Sequence, residues 1–388
     1  MHEFTLVGED GPDAAELVTV EGGDFRLGGE KWNPHGINYW PLSVIGLEPA
    51  RYHSHWLHPT NYDPVVIEHD LAQAGRLGMN MLTIKYDRPL EGPAVADFMS
   101  RCRRHGIKVN VFIQGTDPMR MDEELAVDLI RAARLWESDS MFAYDIAWEP
   151  RVGNYVARVA LDGEWRDWVA EQYGIEENAQ ADWGIELPRD EEGNLTGPSD
   201  EQLINDGPWC AMVAAYRRFL DDLISRRINR VRRLILRLDP HHLIGYRAGF
   251  GGTGQSLFVH FIPFDMLMGV KHLDFTSPEA YDMPNDWRLA RESGFITAYS
   301  RYSGNGKPVF WSEFGTNTWP DPTPEREQEK AAFWESMYRV VLDSGANGLA
   351  GWWWPAGYRV NENSCFGVIN ADRTLTLAAE IAEKYAPD

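Results

Sequence analysis

Apolar residues in this chain gather into short runs that stop at polar or aromatic residues, and most runs are followed by a stretch whose apolar positions recur three and four apart. Eight runs read as strands: WNPHGINYW (32–40), NMLTIKYD (80–87), IKVNVFIQG (107–115), MFAYDIAWEP (141–150), HLIGYRAG (242–249), HLDFTSPEAY (272–281), KPVFWSEFG (307–315) and GLAGWWWPAG (348–357). The helical stretches between them include DPVVIEHDLAQAGRLG, with Gly78 as its stop, AVADFMSRCRRHG, EELAVDLIRAARLWE, the long segment 210–239 and EQEKAAFWESMYRVVLDSG. Strands alternating with helices predict a parallel sheet, and eight is the number that closes it. The expected fold is therefore α/β, a (β/α)8 TIM barrel forming one catalytic domain over 1–388. The first 30 residues read as a short N-terminal β extension or cap.

Residues 151–208 break the rhythm. WRDWVAEQYGIEENAQADWG and the polar LPRDEEGNLTGPSDEQ make a long insertion after the fourth strand. Loops after barrel strands lie on the catalytic face, so the insertion is expected to shape the cleft, with a surface excursion around its own small core as the alternative. The chain's 388 residues, 44% of them hydrophobic, suit one barrel as well as two ordinary domains, so the strand count decides between them.

A formal charge of −22 argues against nucleic acid or an anionic membrane as partner, because such a surface repels phosphate. Homo-oligomerisation is left open. Cys102, Cys210 and Cys365 are too few and scattered for a disulfide framework or a thiolate metal site. The N-terminus shows no basic region followed by an apolar core, and no segment approaches the roughly 18 apolar residues of a membrane helix. Cytoplasmic residence is the expectation.

The chemistry lies at strand ends. Glu149 closes the fourth run and Glu313 sits near the end of the seventh, so in a closed barrel both project from the C-terminal rim toward one axis. Two facing carboxyl groups suit glycoside hydrolysis, one protonating the leaving oxygen while the other attacks the anomeric carbon. The 16 tryptophans, several in irregular Gly- and Pro-rich contexts, offer faces for sugar rings. Trp352 and Trp354 alternate along the last run and are expected to share a face, with Trp353 turned into the helix layer. Asn38 and Trp40 at the end of the first run are placed to meet sugar hydroxyls, while His35 lower down reads as a hydrogen-bonded core histidine. Asp87, Gln114 and Asp117 end runs too and are either hydroxyl ligands or solvated rim residues.

KPVFWSEFG and DIAWEP, with WNPHGINYW and GLAGWWWPAG, resemble the corresponding motifs of clan A glycoside hydrolases. The nearest likeness is to family 5 and to β-galactosidase- and β-mannosidase-like barrels; WRDWVAEQYGIEENAQADWG is similar to a segment of family 42 β-galactosidases. The resemblance implies a retaining enzyme with Glu313 as nucleophile and Glu149 as general acid/base. It also marks three departures. Trp148 stands where the family has the Asn that contacts the sugar 2-hydroxyl. Lys85 replaces the second-strand Arg, and SPEAYD puts Glu279 and Tyr281 where a His-x-Tyr pattern is usual. Lys85, Trp148, Glu279 and Tyr281 are thereby candidate substrate ligands, and the three changes point to an unusual glycone.

The expected function is a retaining, exo-acting β-glycosidase on an oligosaccharide or small glycoside, with a carbohydrate as its partner and neither cofactor nor metal. One alternative is an inactive sugar-binding barrel. The other is a metal-dependent barrel hydrolase using His53, His55 and His58 of RYHSHWLHP, although such enzymes carry their His-x-His pair on the first strand itself. The glycines of GFGGTGQS lack the Lys-Ser/Thr ending of a phosphate-binding loop.

Overall fold

Residues 18–31 form three short antiparallel strands, β1 (Val18–Glu21), β2 (Asp24–Leu27) and β3 (Glu30–Lys31). The computed structural model describes residues 12–44, 56–249, 264–265, 267–281, 291–320, 322–359 and 363–387. Phe25 of β2, fully buried, meets Phe142 at 5.2 Å and Phe275 at 5.5 Å, both edge to face. Those rings, with Trp32 and Phe310, form a separate apolar cluster at the starts of the barrel staves. The N-terminal extension is thus a plug for one end of the barrel, which leaves the other end for chemistry.

Each of the eight apolar runs contains a strand. They are β4 (His35–Asn38), β5 (Met81–Tyr86), β6 (Lys108–Ile113), β7 (Met141–Trp148), β8 (Leu243–Arg247), β9 (Glu279–Tyr281), the broken seventh stave β10 (Phe310–Trp311) and β11 (Glu313–Gly315), and β12 (Gly348–Gly351). Seven pair in parallel in the order β10-β12-β4-β5-β6-β7-β8, and β9 pairs with β11. Parallel bridges from Ala248 to Pro278 and from Thr276 to Val309 carry the pairing from β8 through β9 to the seventh stave, closing the ring. Near-complete burial of β4 to β8 explains why these strands read as continuous apolar runs instead of alternating ones. A Cβ on Gly36 would stand 1.8 Å from the Met81 carbonyl oxygen, so only glycine lets β4 approach β5 this closely.

Helices α1 (Pro64–Arg76), α2 (Gly92–Arg104) and α3 (Glu123–Ala133) follow β4, β5 and β6 in turn around the barrel. Asp63 caps α1 by accepting from the amides of Val65 and Val66, and Gly78 follows its end with φ 69. The third helical stretch is shorter than its sequence period suggests. Arg134 takes the left-handed conformation, φ 49, and a single tight turn over Leu135–Glu137 replaces the last helical turn.

The insertion holds α4 (Tyr155–Arg158), α5 (Asp162–Tyr173), α6 (Glu176–Trp183) and α7 (Asp200–Ile204), and leads into the long α8 (Cys210–Leu236). Trp165 stacks on Trp168 at 5.5 Å and on Trp183 at 5.6 Å, and its edge meets Tyr216 of α8 at 5.2 Å. These rings pack the segment against α8 and are continuous with the main apolar core. Helices α9 (Arg291–Ser303), α10 (Pro324–Ser344) and α11 (Leu377–Lys384) complete the outer layer. No described helix is long and apolar enough to cross a membrane.

Candidate active site

β7 ends at Trp148, and the next residue, Glu149, adopts φ 42. A non-glycine residue in that region costs roughly 1–2 kcal/mol, which the surrounding packing must offset. Glu313 opens β11, only 3% exposed, directly opposite Glu279 of β9 in the parallel register. One carboxylate oxygen from each of Glu149, Glu279 and Glu313 lies within 4.8 Å of the others. The two strand ends that the sequence singles out therefore meet.

The environments of the three acids differ. Glu313 accepts from Arg247 Nη1 at 2.6 Å on one oxygen and from the Tyr281 hydroxyl on the other. Burial, with the Glu149 charge adding to it, pushes Glu313 up to about 7 against the opposing pull of Arg247 and Tyr281. Glu149 is partly exposed and accepts from Arg151 Nη2 at 3.3 Å. Glu279 is buried, no described donor group bonds to either of its oxygens, and its carboxyl lies within hydrogen-bond reach of the Glu149 carboxyl. Burial, then the charges of Glu313 and Glu149, push it well above the usual carboxylate range. The trio is also the group of described residues spaced to share a divalent cation, but the Arg247 guanidinium already supplies positive charge to Glu313.

Arg247, the last residue of β8, ties four staves together. Its Nε donates to Asp145 Oδ2 at 2.7 Å, Nη1 donates to Asn38 Oδ1 at 3.0 Å, and its guanidinium carbon lies 3.9 Å from the centre of the Trp148 ring. Asn38 in turn donates to the carbonyls of Ser312 and Gly351, at 3.0 and 3.1 Å. Asn38 is fully buried, so it braces the floor of the site instead of reaching the cavity, contrary to the rim position its strand end suggests. Trp40, also fully buried, packs behind the cavity against Trp148 and Trp352.

A cavity of about 390 Å³ opens above the pair, the size of a small-ligand site. Aromatic faces and edges come from Phe112, Trp148, Trp352 and Phe366, and polar groups from Lys85, Gln114, Tyr281 and Arg359 beside the two glutamates. Lys85 is paired with Asp87 at 3.1 Å. Trp354 is not on this wall. Strand pairing stops at Gly351, and strict alternation stops with it. Trp352 and Trp353 stack side by side at 5.6 Å, and the Arg359 guanidinium lies 5.1 and 4.7 Å from their rings. It is Trp354 that turns toward the helix layer, meeting Tyr39, whose ring stacks on Phe98 of α2. Trp353 stays with the cavity cluster.

Glu279 stands behind the pair and does not line the cavity. His35 is buried, bonded to Tyr338 Oη at 2.7 Å and to the Gly78 carbonyl at 2.9 Å, a core histidine that burial holds below its usual pKa. His53, His55 and the loop from 250 to 256 lie outside the described residues; His58 bonds Thr60 Oγ1 at 2.7 Å. Arg247, Arg359, Phe112 and Phe366 escape the sequence reading. Arg247 had a signal, being a charged residue at the end of an apolar barrel strand, as Glu313 was. Arg359 and Phe366 follow the last strand, where no periodicity marks them.

No family model matches the chain, and no curated protein does. Solved structures do match it. A GH2 β-galacturonidase from Eisenbergiella tayi bound to galacturonate aligns with TM-score 0.57 at 16% identity over 95% of this chain and 53% of its own. An agarase, AgWH50C, aligns with TM-score 0.66 at 12% identity over 97% of this chain and 65% of its own. A GH5_18 protein from Streptomyces cattleya in complex with Manb1-4GlcNAc aligns with TM-score 0.56 at 13% identity over 91% and 80%. The chain spans between about half and two thirds of the first two. At these identities the likeness establishes the fold, a TIM barrel of the kind glycoside hydrolases use.

Proposed function

We propose that the chain is a retaining β-glycosidase in which Glu313 attacks the anomeric carbon and Glu149 protonates the leaving oxygen, then deprotonates the water that releases the sugar. The single observation that carries this is that one oxygen of each carboxylate lies within 4.8 Å of one of the other, which favours the shorter of the two spacings glycosidases use. Inverting enzymes hold their pair roughly 6.5–9.5 Å apart to leave room for a water, whereas retaining enzymes close it to about 5–5.5 Å. The hydrogen bonds support this division of roles. Arg247 and Tyr281 donate to Glu313 and favour its charged form, as a nucleophile requires. Glu149, at the edge of the cavity with a partly exposed carboxyl, is placed to reach a leaving group.

Trp352 and Trp148 meet edge to face at 5.5 Å, giving one flat surface and one upright wall for a sugar ring. The cavity's limited volume supports exo action on an oligosaccharide or small glycoside over attack along a polymer. Trp148 leaves no amide at the position that resembles the family's 2-hydroxyl contact.

A panel of nitrophenyl glycosides tests the reading. Glu313→Gln should lower kcat on the accepted glycoside by at least about 10⁴-fold, and Glu149→Gln by about 10²–10⁴-fold, with the smaller loss on the best leaving group. Saturable sugar binding without turnover of any glycoside would leave a binding barrel instead. Abolition of turnover by a chelator would point to the metal-dependent alternative.

A further inference from the structure

The pairing of β9 with β11 sets Glu279 beside Glu313, while the end of β7 brings Glu149 over both. Glu279 is 1% exposed and contributes nothing to the cavity wall, so it cannot bind substrate directly. No described donor group bonds to either of its oxygens, and its carboxyl lies within hydrogen-bond reach of the Glu149 carboxyl. The described charged and titratable groups facing it are Glu313 on β11, Glu149 after β7, Arg247 on β8 and Tyr281 on its own strand. Arg247 is the one cation among them, and it already serves Asp145 and Glu313. A charged Glu279 would be a buried carboxylate with no counter-ion of its own, a state proteins avoid by keeping the proton.

Resting on the assignment of Glu149 and Glu313 as the catalytic pair, we propose that Glu279 is a positioning residue that stays un-ionised throughout turnover and donates its carboxyl hydrogen to Glu149 whenever Glu149 is charged. In the first step Glu313 bonds to the anomeric carbon, the glycosidic C–O bond breaks, and the Glu149 proton passes to the leaving oxygen. Glu149 is then an anion, and the Glu279 hydroxyl is its donor. In the second step water bonds to the anomeric carbon, gives a proton to Glu149, and Glu313 departs as a carboxylate. Glu279 ends with the proton it began with. A neutral acid supplies this donor without adding a second negative charge to the site.

Two measurements test this. Infrared difference spectra of the wild-type protein minus Glu279→Gln at neutral pH should contain the carbonyl stretch of an un-ionised carboxylic acid; a carboxylate band in its place overturns the proposal. That readout needs no turnover, so it stands even if the protein hydrolyses no glycoside, which would sink the parent reading alone. In kinetics, Glu279→Leu should lower kcat by about tenfold or more with little change in KM, the loss expected when a hydrogen bond to a charged group disappears. Glu279→Gln, whose amide still donates, should recover most of that loss. Wild-type turnover by the leucine variant would reduce Glu279 to a space filler. A downward shift of about one pH unit in the acidic limb of kcat/KM in the glutamine variant would mean that a negative charge had been removed from beside Glu313. Either result refutes the proposal.

Discussion

Arg247 controls the electrostatics of the site at the scale of single residues. Its side chain is fully buried between Asp145 and Glu313, at 2.7 and 2.6 Å. As the proposed nucleophile Glu313 must be ionised, so on that proposal the acidic limb of kcat/KM should fall near its value of about 7, activity being lost as the pH drops through it. Arg247→Met removes the guanidinium that favours the charged carboxylate, so the limb should move upward and kcat/KM should fall across the profile. The same change strands Asp145, and denaturant unfolding should register about 3–5 kcal/mol of lost stability, the usual result of breaking one side of a buried pair. A variant whose limb stays put would show that Arg247 does not govern Glu313. Glu149 and Glu313 were legible in the sequence because a carboxylate is out of place at the end of an apolar strand. Arg247 is out of place in the same way, but a lone arginine names no reaction, whereas two carboxylates do. Asn38 and Trp40 were read as rim residues because strand position gives height in a barrel, and burial depends on neighbours that only the closed ring supplies.

Among the elements, the turn after β5 couples the rim to pH. Glu91 ends the short turn Pro89–Glu91, is 1% exposed, and one of its oxygens accepts from the amides of Asp87 and Arg88, at 3.3 and 3.2 Å. Asp87 in turn holds Lys85 at the cavity. Burial pushes Glu91 up to about 7. Its folded value lies above its unfolded one, so the stability it confers is complete at low pH and is lost as pH rises through about 7. Glu91→Gln keeps an acceptor and cannot ionise. Its Tm relative to wild type should therefore rise by at least about 2 °C between roughly pH 5 and pH 8, and a flat difference would contradict the assignment. The strands and long helices were readable because period 3.6 and buried apolar runs are strong local signals. The end of α3 was not, since the left-handed turn at Arg134 is a local backbone choice that leaves the apolar spacing unchanged.

Across the whole molecule, the ring closes as the count of eight runs requires, and the N-terminal extension seals one end with Phe25. The insertion was legible as an interruption, but its packing was not. Stacking of Trp165 with Trp168 and Trp183 depends on contacts with α8 far along the chain. Arg151 of the insertion meets Glu149, while the stacked tryptophans do not line the cavity. Trp165→Ala should cost about 3–5 kcal/mol in denaturant unfolding, as deletion of a buried tryptophan does, while the folded fraction keeps kcat/KM within a few-fold. A collapse of kcat/KM in the folded protein would instead place the insertion in the working site.

On the proposed roles, Glu313 attacks the sugar directly and hydrolysis passes through a glycosyl ester on Glu313. Proton NMR of the first sugar released from an accepted β-glycoside tests it directly. The β-anomer should appear first and mutarotate to the α-form only later; an α-anomer as the first product would contradict it.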